Sequence, residues 1–259
     1  LSETKIDRTA IVHPGAELEA GVEVGPYAIV GDHVVLKRGV SVGPHACIEG
    51  WTEIGEDTEI SHGAVIGAAP QDVKHKGEKS YCRIGRGSRI REYATVHRAT
   101  GEGNETVVGE KCFVMAYAHV AHNCRIGNGV VIANATQIAG HVLVEDLALI
   151  SGLVPVHQFV RIGKLAIIGG GCRVPMDIVP FVSAVGYPIR VRSLNLVGLR
   201  RQGYSSDDIS LLKEAFRILF RSNLNTSQAL EELKNGIPQT SEITHLVSFI
   251  EASKRGINK

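Results

Sequence analysis

The sequence predicts a mainly β protein: a left-handed parallel β-helix of hexapeptide repeats followed by a small α-helical C-terminal domain. Three observations carry that expectation. Aliphatic residues recur at every sixth position over most of the chain, a period that neither an amphipathic helix nor an alternating strand produces. Glycine is abundant, at 29 residues, while aromatics are 5% of the 259-residue chain, so the core must be built from small and β-branched side chains. After Pro180 the six-residue period stops and helical spacing replaces it.

The repeat starts at Ile6 and continues through Val12, Leu18, Val24, Val30, Leu36, Val42, Ile48, Ile54, Ile60 and Ile66. It lapses over 68–83, resumes in phase at Ile84, Ile90 and Val96, and lapses again over 102–107, GEGNET. From Val108 it runs unbroken to Val174, and every slot is Ile, Leu or Val. Four residues beyond a slot comes a small side chain, as at Ala28, Ala46, Ala94, Ala118 and Ala148. Glycine often follows the slot directly, as at Gly25, Gly43, Gly55, Gly127 and Gly163. Each hexad is therefore expected to form a short strand and a turn, with the aliphatic pointing inward and the glycine easing the corner. Three hexads complete one triangular turn of the coil. The left hand of such coils departs from the usual right-handed crossover. With strands about 4.8 Å apart, the coil would stand roughly 45 Å tall. It is expected to occupy residues 1–185, with loop insertions near 68–83 and 102–107.

Residues 186–259 form the expected α-helical domain. RSLNLVGLRRQGY (192–204) reads as a short helix closed by Gly203. SSDDISLLKEAFRILF opens with a capping serine and an acidic first turn, then places apolar residues at helical spacing. NTSQALEELKN and TSEITHLVSFIEASKRG read as two further helices, the last ended by Gly256. Residues 190–259 hold eleven Lys and Arg against seven Asp and Glu. A basic helical end on a mildly acidic coil suits an acidic partner, and equally an ordinary solvated helix surface.

The formal net charge of +1 argues against a general nucleic-acid binder. A run of about 18 apolar residues, which a membrane span requires, is missing from the sequence. LSETKIDRTAIV lacks the basic and apolar segments of a signal peptide, which points to the cytoplasm. The five cysteines are odd in number, scattered and without a CxxC pair, as expected of reduced thiols. Cys112, Cys124 and Cys172 fall in the small inward position, where packing is the expected role.

Chemistry-bearing residues gather at two places. The first insertion, AAPQDVKHKGEKSYC, carries Asp72, Lys74, His75 and Lys76. The second place is a ledge of histidines. Slots 120, 138 and 156 stack on one face; His122, His141 and His157 follow them, and His119 is expected at the corner before that face. Turn spacing puts the four within roughly 5–10 Å of each other. A neutral imidazole could take a proton from an attacking hydroxyl near pH 7. Three histidines could instead hold zinc and activate water. Spacing alone leaves both open.

Several longer motifs carry a resemblance. IGAAPQDVKHKGE, RIREYATVHRAT, HVAHNCRIGN, IAGHVLVEDLALISGLVPVHQF and LNLVGLRRQGYS together resemble the UDP-N-acetylglucosamine acyltransferases that begin lipid A synthesis in Gram-negative bacteria. The resemblance covers nearly the whole chain. Hexapeptide coils are shared by many acyltransferases; the QD-x-K loop, the HxxH and GH pairs, VHQF and the helical tail are the specific part. The resemblance implies a cytoplasmic homotrimer with its active site between neighbouring coils. That enzyme moves an R-3-hydroxyacyl chain from acyl carrier protein to the 3-position of UDP-N-acetylglucosamine. It needs no cofactor beyond the carrier's phosphopantetheine, and no metal.

Carried over by motif, His122 is the general base and the Gly140 backbone N–H stabilises the oxyanion. Asp72 holds the sugar near its 3-hydroxyl, and Lys74 sits beside pantetheine or substrate. His97, His119, His141, His157 and Gln158 line the nucleotide-sugar and acyl site. Asn195 and Arg201 meet UDP or the carrier, and Gly170 sets the far end of the acyl groove. Of the run Gly169, Gly170 and Gly171, only Gly169 follows its slot as the expected corner glycine. Two departures stand out: Asn123 where the best-known members have Asp, and Gln202 where they have Arg. The rival readings are, in order, the related N-acyltransferase of the same pathway, which carries a uridine-binding domain before its coil, a carbonic anhydrase of the hexapeptide type that binds zinc through histidines, and a non-catalytic scaffold coil.

Overall fold

The computed structural model describes residues 3–259; Leu1 and Ser2, at the start of the expected 1–185 coil, lie outside the described residues. From Lys5–Ile6 to Ile167–Ile168 the chain forms short strands, most of them two residues long. They stack in parallel on three faces, with every third strand returning to the same face. The result is a left-handed parallel β-helix. Its register brings each slot residue onto the next turn's slot, as in Ile6↔Val24, Val120↔Ile138 and Ile138↔Val156.

Burial follows from that register. Slot residues from Val24 to Val174 are at most 3% exposed. Ile6, on the terminal turn, is 50% exposed because a coil end has a neighbour on one side only. The insertions preserve the phase. Ile66 pairs with Val96 and Val96 with Val120, so offsets of thirty and twenty-four residues replace eighteen. Both insertions are whole hexads, and the aliphatic column continues past them.

The glycines work differently from the expected corners. Most corner residues in the left-handed backbone region lie three beyond a slot: Tyr27, His45, Asp57, Tyr93, Tyr117, Asn123, His141 and Phe159 all have φ between 54° and 64°. The glycines directly after slots are needed for close stacking. A Cβ on Gly43 would come 2.8 Å from His62 N, and one on Gly55 would come 2.6 Å from Arg86 N. Real Cβ atoms do not approach backbone so closely, so only glycine lets these turns stack. Gly171 is a corner residue, at φ +70°, and Gly169 would meet Val185. Gly170 has neither constraint: its added Cβ would lie 3.4 Å from Gly152 O, an ordinary contact.

Past the coil, Val182–Val185 and Arg190–Leu194 form an antiparallel hairpin that extends the eleven-stranded face. The expected boundary at 185/186 falls inside this hairpin. The helix expected over 192–204 is α1, Leu196–Arg201; it starts later because Arg190–Leu194 is held in the sheet and Asn195 caps the helix. Next come α2 (Ser206–Phe220), α3 (Thr226–Asn235) and α4 (Ser241–Glu251). Reciprocal capping boxes start α2 (Ser205 with Asp208) and α3 (Asn225 with Gln228), satisfying N–H groups that a helix start leaves free. α4 ends at Ala252, short of Gly256, where the chain turns at φ +75° to bridge Ile257 to Asp177.

Three contacts fasten α4 to the coil. His245 Nε2 lies 2.8 Å from Glu145 Oε2, Arg161 Nη1 donates to Phe249 O, and the Arg161 guanidinium sits over the Phe249 ring. Cys112, Cys124 and Cys172 are buried in the coil at 2%, 0% and 3% exposure, and all five cysteines are free. Among the described residues no helix is long and apolar enough to cross a membrane.

Candidate active site

The ledge is built on successive turns of one face. His119 stands on the strand His119–Val120 itself and points outward, rather than at the expected corner, because it immediately precedes an inward slot. In register beside it lie Thr95 on one side and Gln137 on the other. His119 Nδ1 is 2.7 Å from Thr95 Oγ1, and the ring meets His97 edge-on at 4.9 Å. His122 meets His141 edge-on at 5.2 Å, and His141 stacks on Phe159 at 4.8 Å. His141 takes its direction from the left-handed corner it occupies, at φ +61°. His157 and Gln158 lie one turn further on, with His157 Nδ1 3.1 Å from Gln158 O.

His122 is held by Asn123. Its Nδ1 lies 2.8 Å from Asn123 Oδ1. The amide of Asn123 can point only one way. Its Oδ1 accepts from Thr100 N at 3.0 Å, and its Nδ2 donates to Thr100 O at 3.1 Å. An oxygen that faces His122 Nδ1 needs a hydrogen from it, so Nδ1 carries a proton, and in the neutral ring Nε2 keeps the lone pair. Asn123 is also a corner residue at φ +59°, a conformation that asparagine tolerates better than most residues.

The lone-pair side of His122 faces two groups. One is Gly140, where an added Cβ would come 2.6 Å from His122 Cε1 and Nε2. Glycine is therefore the residue that lets the imidazole lie flat against this turn. Gly140 is buried, and its N–H donates to nothing among the described residues. The other group is Asp72, whose Oδ2 lies 4.0 Å from His122 Nε2. Both side chains are mostly buried, at 15% and 17% exposure. A gap of 4.0 Å is longer than a hydrogen bond, and a hydroxyl approaching from the side can reach both atoms at hydrogen-bond distance.

Asp72 comes from the first insertion, where its Oδ1 accepts from Lys74 N at 3.0 Å. That bond, with help from His122 and Lys74, keeps its carboxyl below the usual range. The Lys74 side chain is exposed. Burial lowers the pKa of His97, His119 and His141, with His119 pushed down to about 4. These three rings are neutral at pH 7 and line the site without charge. Among the described residues no group of three or more His, Cys, Asp or Glu is arranged to hold a metal ion.

The remaining residues singled out in the sequence lie elsewhere. Asn195 is 7% exposed, and its amide is committed within the chain: Oδ1 accepts from Gly198 N and Nδ2 donates to Leu165 O. Arg201 is exposed on the last turn of α1. Gly170 follows the Ile167–Ile168 strand, beside Gly152 on the preceding turn. The sequence reading missed Thr100, which orients Asn123. It also missed Asn104, Glu105 and Arg125, which with Asn123 and His141 line a polar cavity of about 260 Å³. For Asn104 and Glu105 the one signal is the lapse in the period over 102–107.

Comparisons with known proteins bear on the family and the fold. A family profile described as UDP N-acetylglucosamine O-acyltransferase, domain 2, matches residues 177–258, and one described as bacterial transferase hexapeptide matches residues 105–140. The acyl-(acyl-carrier-protein)–UDP-N-acetylglucosamine O-acyltransferase of Thermodesulfovibrio yellowstonii is 49% identical over 254 residues, 98% of each chain. The Burkholderia orbicola protein of the same name is 44% identical, over 98% of this chain and 99% of that one. Among solved structures, the UDP-N-acetylglucosamine acyltransferase of Bacteroides fragilis superposes with a TM-score of 0.95 at 40% identity, covering 98% of this chain and 99% of that one.

Proposed function

The chain belongs to the acyl-(acyl-carrier-protein)–UDP-N-acetylglucosamine O-acyltransferase family. On that premise we propose that it moves an R-3-hydroxyacyl chain from acyl carrier protein to the 3-position of UDP-N-acetylglucosamine, the opening step of lipid A synthesis, with His122 as general base. The observation that carries the base assignment is the Asn123-held imidazole, whose free Nε2 lies 4.0 Å from Asp72.

In this reading the sugar 3-hydroxyl bridges Nε2 and Asp72 from the open side of the pair. Nε2 takes its proton as the oxygen attacks the thioester carbonyl carbon. The new C–O bond makes a tetrahedral adduct, whose oxyanion accepts from the Gly140 N–H. Collapse breaks the C–S bond, and the proton held on His122 passes to the departing pantetheine sulfur. Asp72 stabilises the transient imidazolium with a negative charge that Asn123 does not bring. Neutral His97, His119 and His141 avoid placing a second cation beside it.

The protomer supplies one wall of the site, and we place the other on the neighbouring coil of a homotrimer. Lys74, His157, Gln158 and Arg201 would then meet the carrier or the nucleotide across the cleft, and the basic helical end would face the acidic carrier protein. Purified protein given R-3-hydroxyacyl carriers with UDP-N-acetylglucosamine or its 3-amino analogue tests donor and acceptor together. His122→Ala should fold normally and lose about 10²–10⁴ in rate. A folded variant with near-normal turnover would refute the assignment, and an active monomer by light scattering would refute the shared site.

A further inference from the structure

The two insertions meet around one dipeptide that also reaches the candidate site, Thr100–Gly101. On one side, both backbone polar groups of Thr100 are held by the amide of Asn123, the residue that orients His122. On the other side, the Gly101 N–H donates to Glu78 Oε1 at 2.7 Å. Glu78 ends the loop that carries Asp72. Its second oxygen accepts from Lys76 N at 2.7 Å, and His75 Nδ1 lies 3.2 Å from Oε1. Hydrogen bonds thus run from the Asp72 loop through Glu78 to Gly101, and from Thr100 through Asn123 to His122.

We propose that Glu78 is a positioning residue for the transfer reaction: by accepting from the Gly101 N–H, it holds the Asp72 loop in register with the His122–Asn123 pair. This rests on the reading that His122 and Asp72 share the acceptor hydroxyl. The same junction is braced at its edge, where Lys79 N donates to Glu102 Oε2 and Gly103 N donates to Lys79 O. Those contacts keep the two insertions together but involve neither Asp72 nor Asn123 directly. Glu78 joins the loop's end to the residue next to Thr100. The carboxylate is 18% exposed, and hydrogen bonds from Gly101 and Lys76 hold its pKa down to about 2. It is ionised under ordinary assay conditions. Charge-assisted bonds to backbone N–H groups are the strong kind, suited to holding a loop whose functional side chain is several residues away.

A double-mutant cycle between Glu78 and Asp72 separates positioning from plain stabilisation. Glu78→Gln keeps the shape and one acceptor oxygen; Glu78→Ala removes both. In the otherwise native enzyme, kcat/KM for the sugar nucleotide should fall about ten- to a hundredfold for Glu78→Ala, the factor expected for a lost charged hydrogen bond. The loss for Glu78→Gln should be smaller. In an Asp72→Ala background the same Glu78 substitutions should change kcat/KM less than about twofold. Equal losses in both backgrounds, or none in either, would overturn the proposal. If Glu78→Ala does not fold, the cycle runs on Glu78→Gln with the same criterion. Amide exchange at Gly101 and Lys76 reads the clasp without turnover, and it should rise in the Glu78 variants. Faster exchange with unchanged kcat/KM would make the clasp merely structural and overturn the positioning role. Full activity in His122→Ala would overturn the reading of the base, and the exchange result would still report on the clasp.

Discussion

The stacked hexads around Ile132 and the junction of the two insertions at Gly101 are parts of one coil held by opposite physics. Ile132 is fully buried and keyed by register to Val114 and Ile150. Its stabilisation is apolar burial, repeated turn after turn. The junction repeats nothing: Glu78, Gly101, Thr100, Asn123 and His122 are joined by polar contacts aimed at particular backbone groups. The repeat makes a rigid ledge, and the aperiodic junction decides where the reactive nitrogen faces. Damage to the first should appear as lost stability, and damage to the second as lost turnover in a stable protein.

The largest expected effect falls on the coil. Ile132→Ala should cost about 2–5 kcal/mol, the usual loss for a buried aliphatic truncated to Ala. Denaturant unfolding measures it, and kcat of the folded fraction should stay near native. A large drop in kcat with little loss of stability would dissolve the distinction between the two regions.

Next is donor choice at Gly170, which has no backbone reason to be glycine. If Gly170 ends the acyl groove, as the resemblance to the family implies, donors of around twelve to fourteen carbons would fit. Each buried methylene is worth about 0.8 kcal/mol, so four of them favour the longer donor by more than about a hundredfold. Gly170→Met should move the preference toward about ten carbons. An unchanged ratio of kcat/KM between long and short donors would remove Gly170 from the groove.

Gly55 sharpens the contrast. Gly55→Ala should lose about 1–3 kcal/mol, because the new methyl meets backbone that cannot yield. Gly170→Ala should be within about 0.5 kcal/mol of native. Equal Tm shifts in the two variants would contradict the stacking role assigned to glycines that follow slots.

These two glycines also mark how far the sequence could be read. Inward slots were legible because each aliphatic repeats the same environment, and the coil, its face assignments and the histidine ledge follow from counting. What a glycine does at a given slot depends on the turn beside it, and the count does not carry that. Hence Gly55 is a stacking residue where a corner was expected, and the corners fall on Asn123 and His141. The α1 start was misjudged for a similar reason: Arg190–Leu194 is claimed by pairing to Val182–Val185, which overrides its local helical spacing. Asn123 read as a departure from Asp, and its hold on Thr100 was invisible because Thr100 belongs to the aperiodic junction.

Smaller effects probe the ledge itself. Asn123→Ala removes the acceptor that orients His122, and kcat/KM should fall about two- to tenfold, as for one neutral hydrogen bond. An unchanged kcat/KM would mean that the imidazole needs no such hold. The pH dependence of stability is the mildest test. His119 has a folded pKa of about 4 against an ordinary 6.5, so between those values the unfolded chain binds the extra proton. The His119 contribution should be constant above about pH 6.5 and should lower stability as pH drops toward 4. His119→Gln should reduce the difference in Tm between pH 7.5 and pH 5. The same difference in variant and native protein would rule out a buried neutral His119.

The account turns on which nitrogen of His122 carries the proton, and neutron diffraction from deuterium-exchanged crystals at neutral pH observes it directly. Deuterium on Nδ1, directed at Asn123 Oδ1, is the result the hydrogen-bond network requires, and none on Nε2 is the result the base assignment predicts. Deuterium on Nε2 with a bare Nδ1 would leave no lone pair facing Asp72 and Gly140, and would contradict the assignment of His122 as the base.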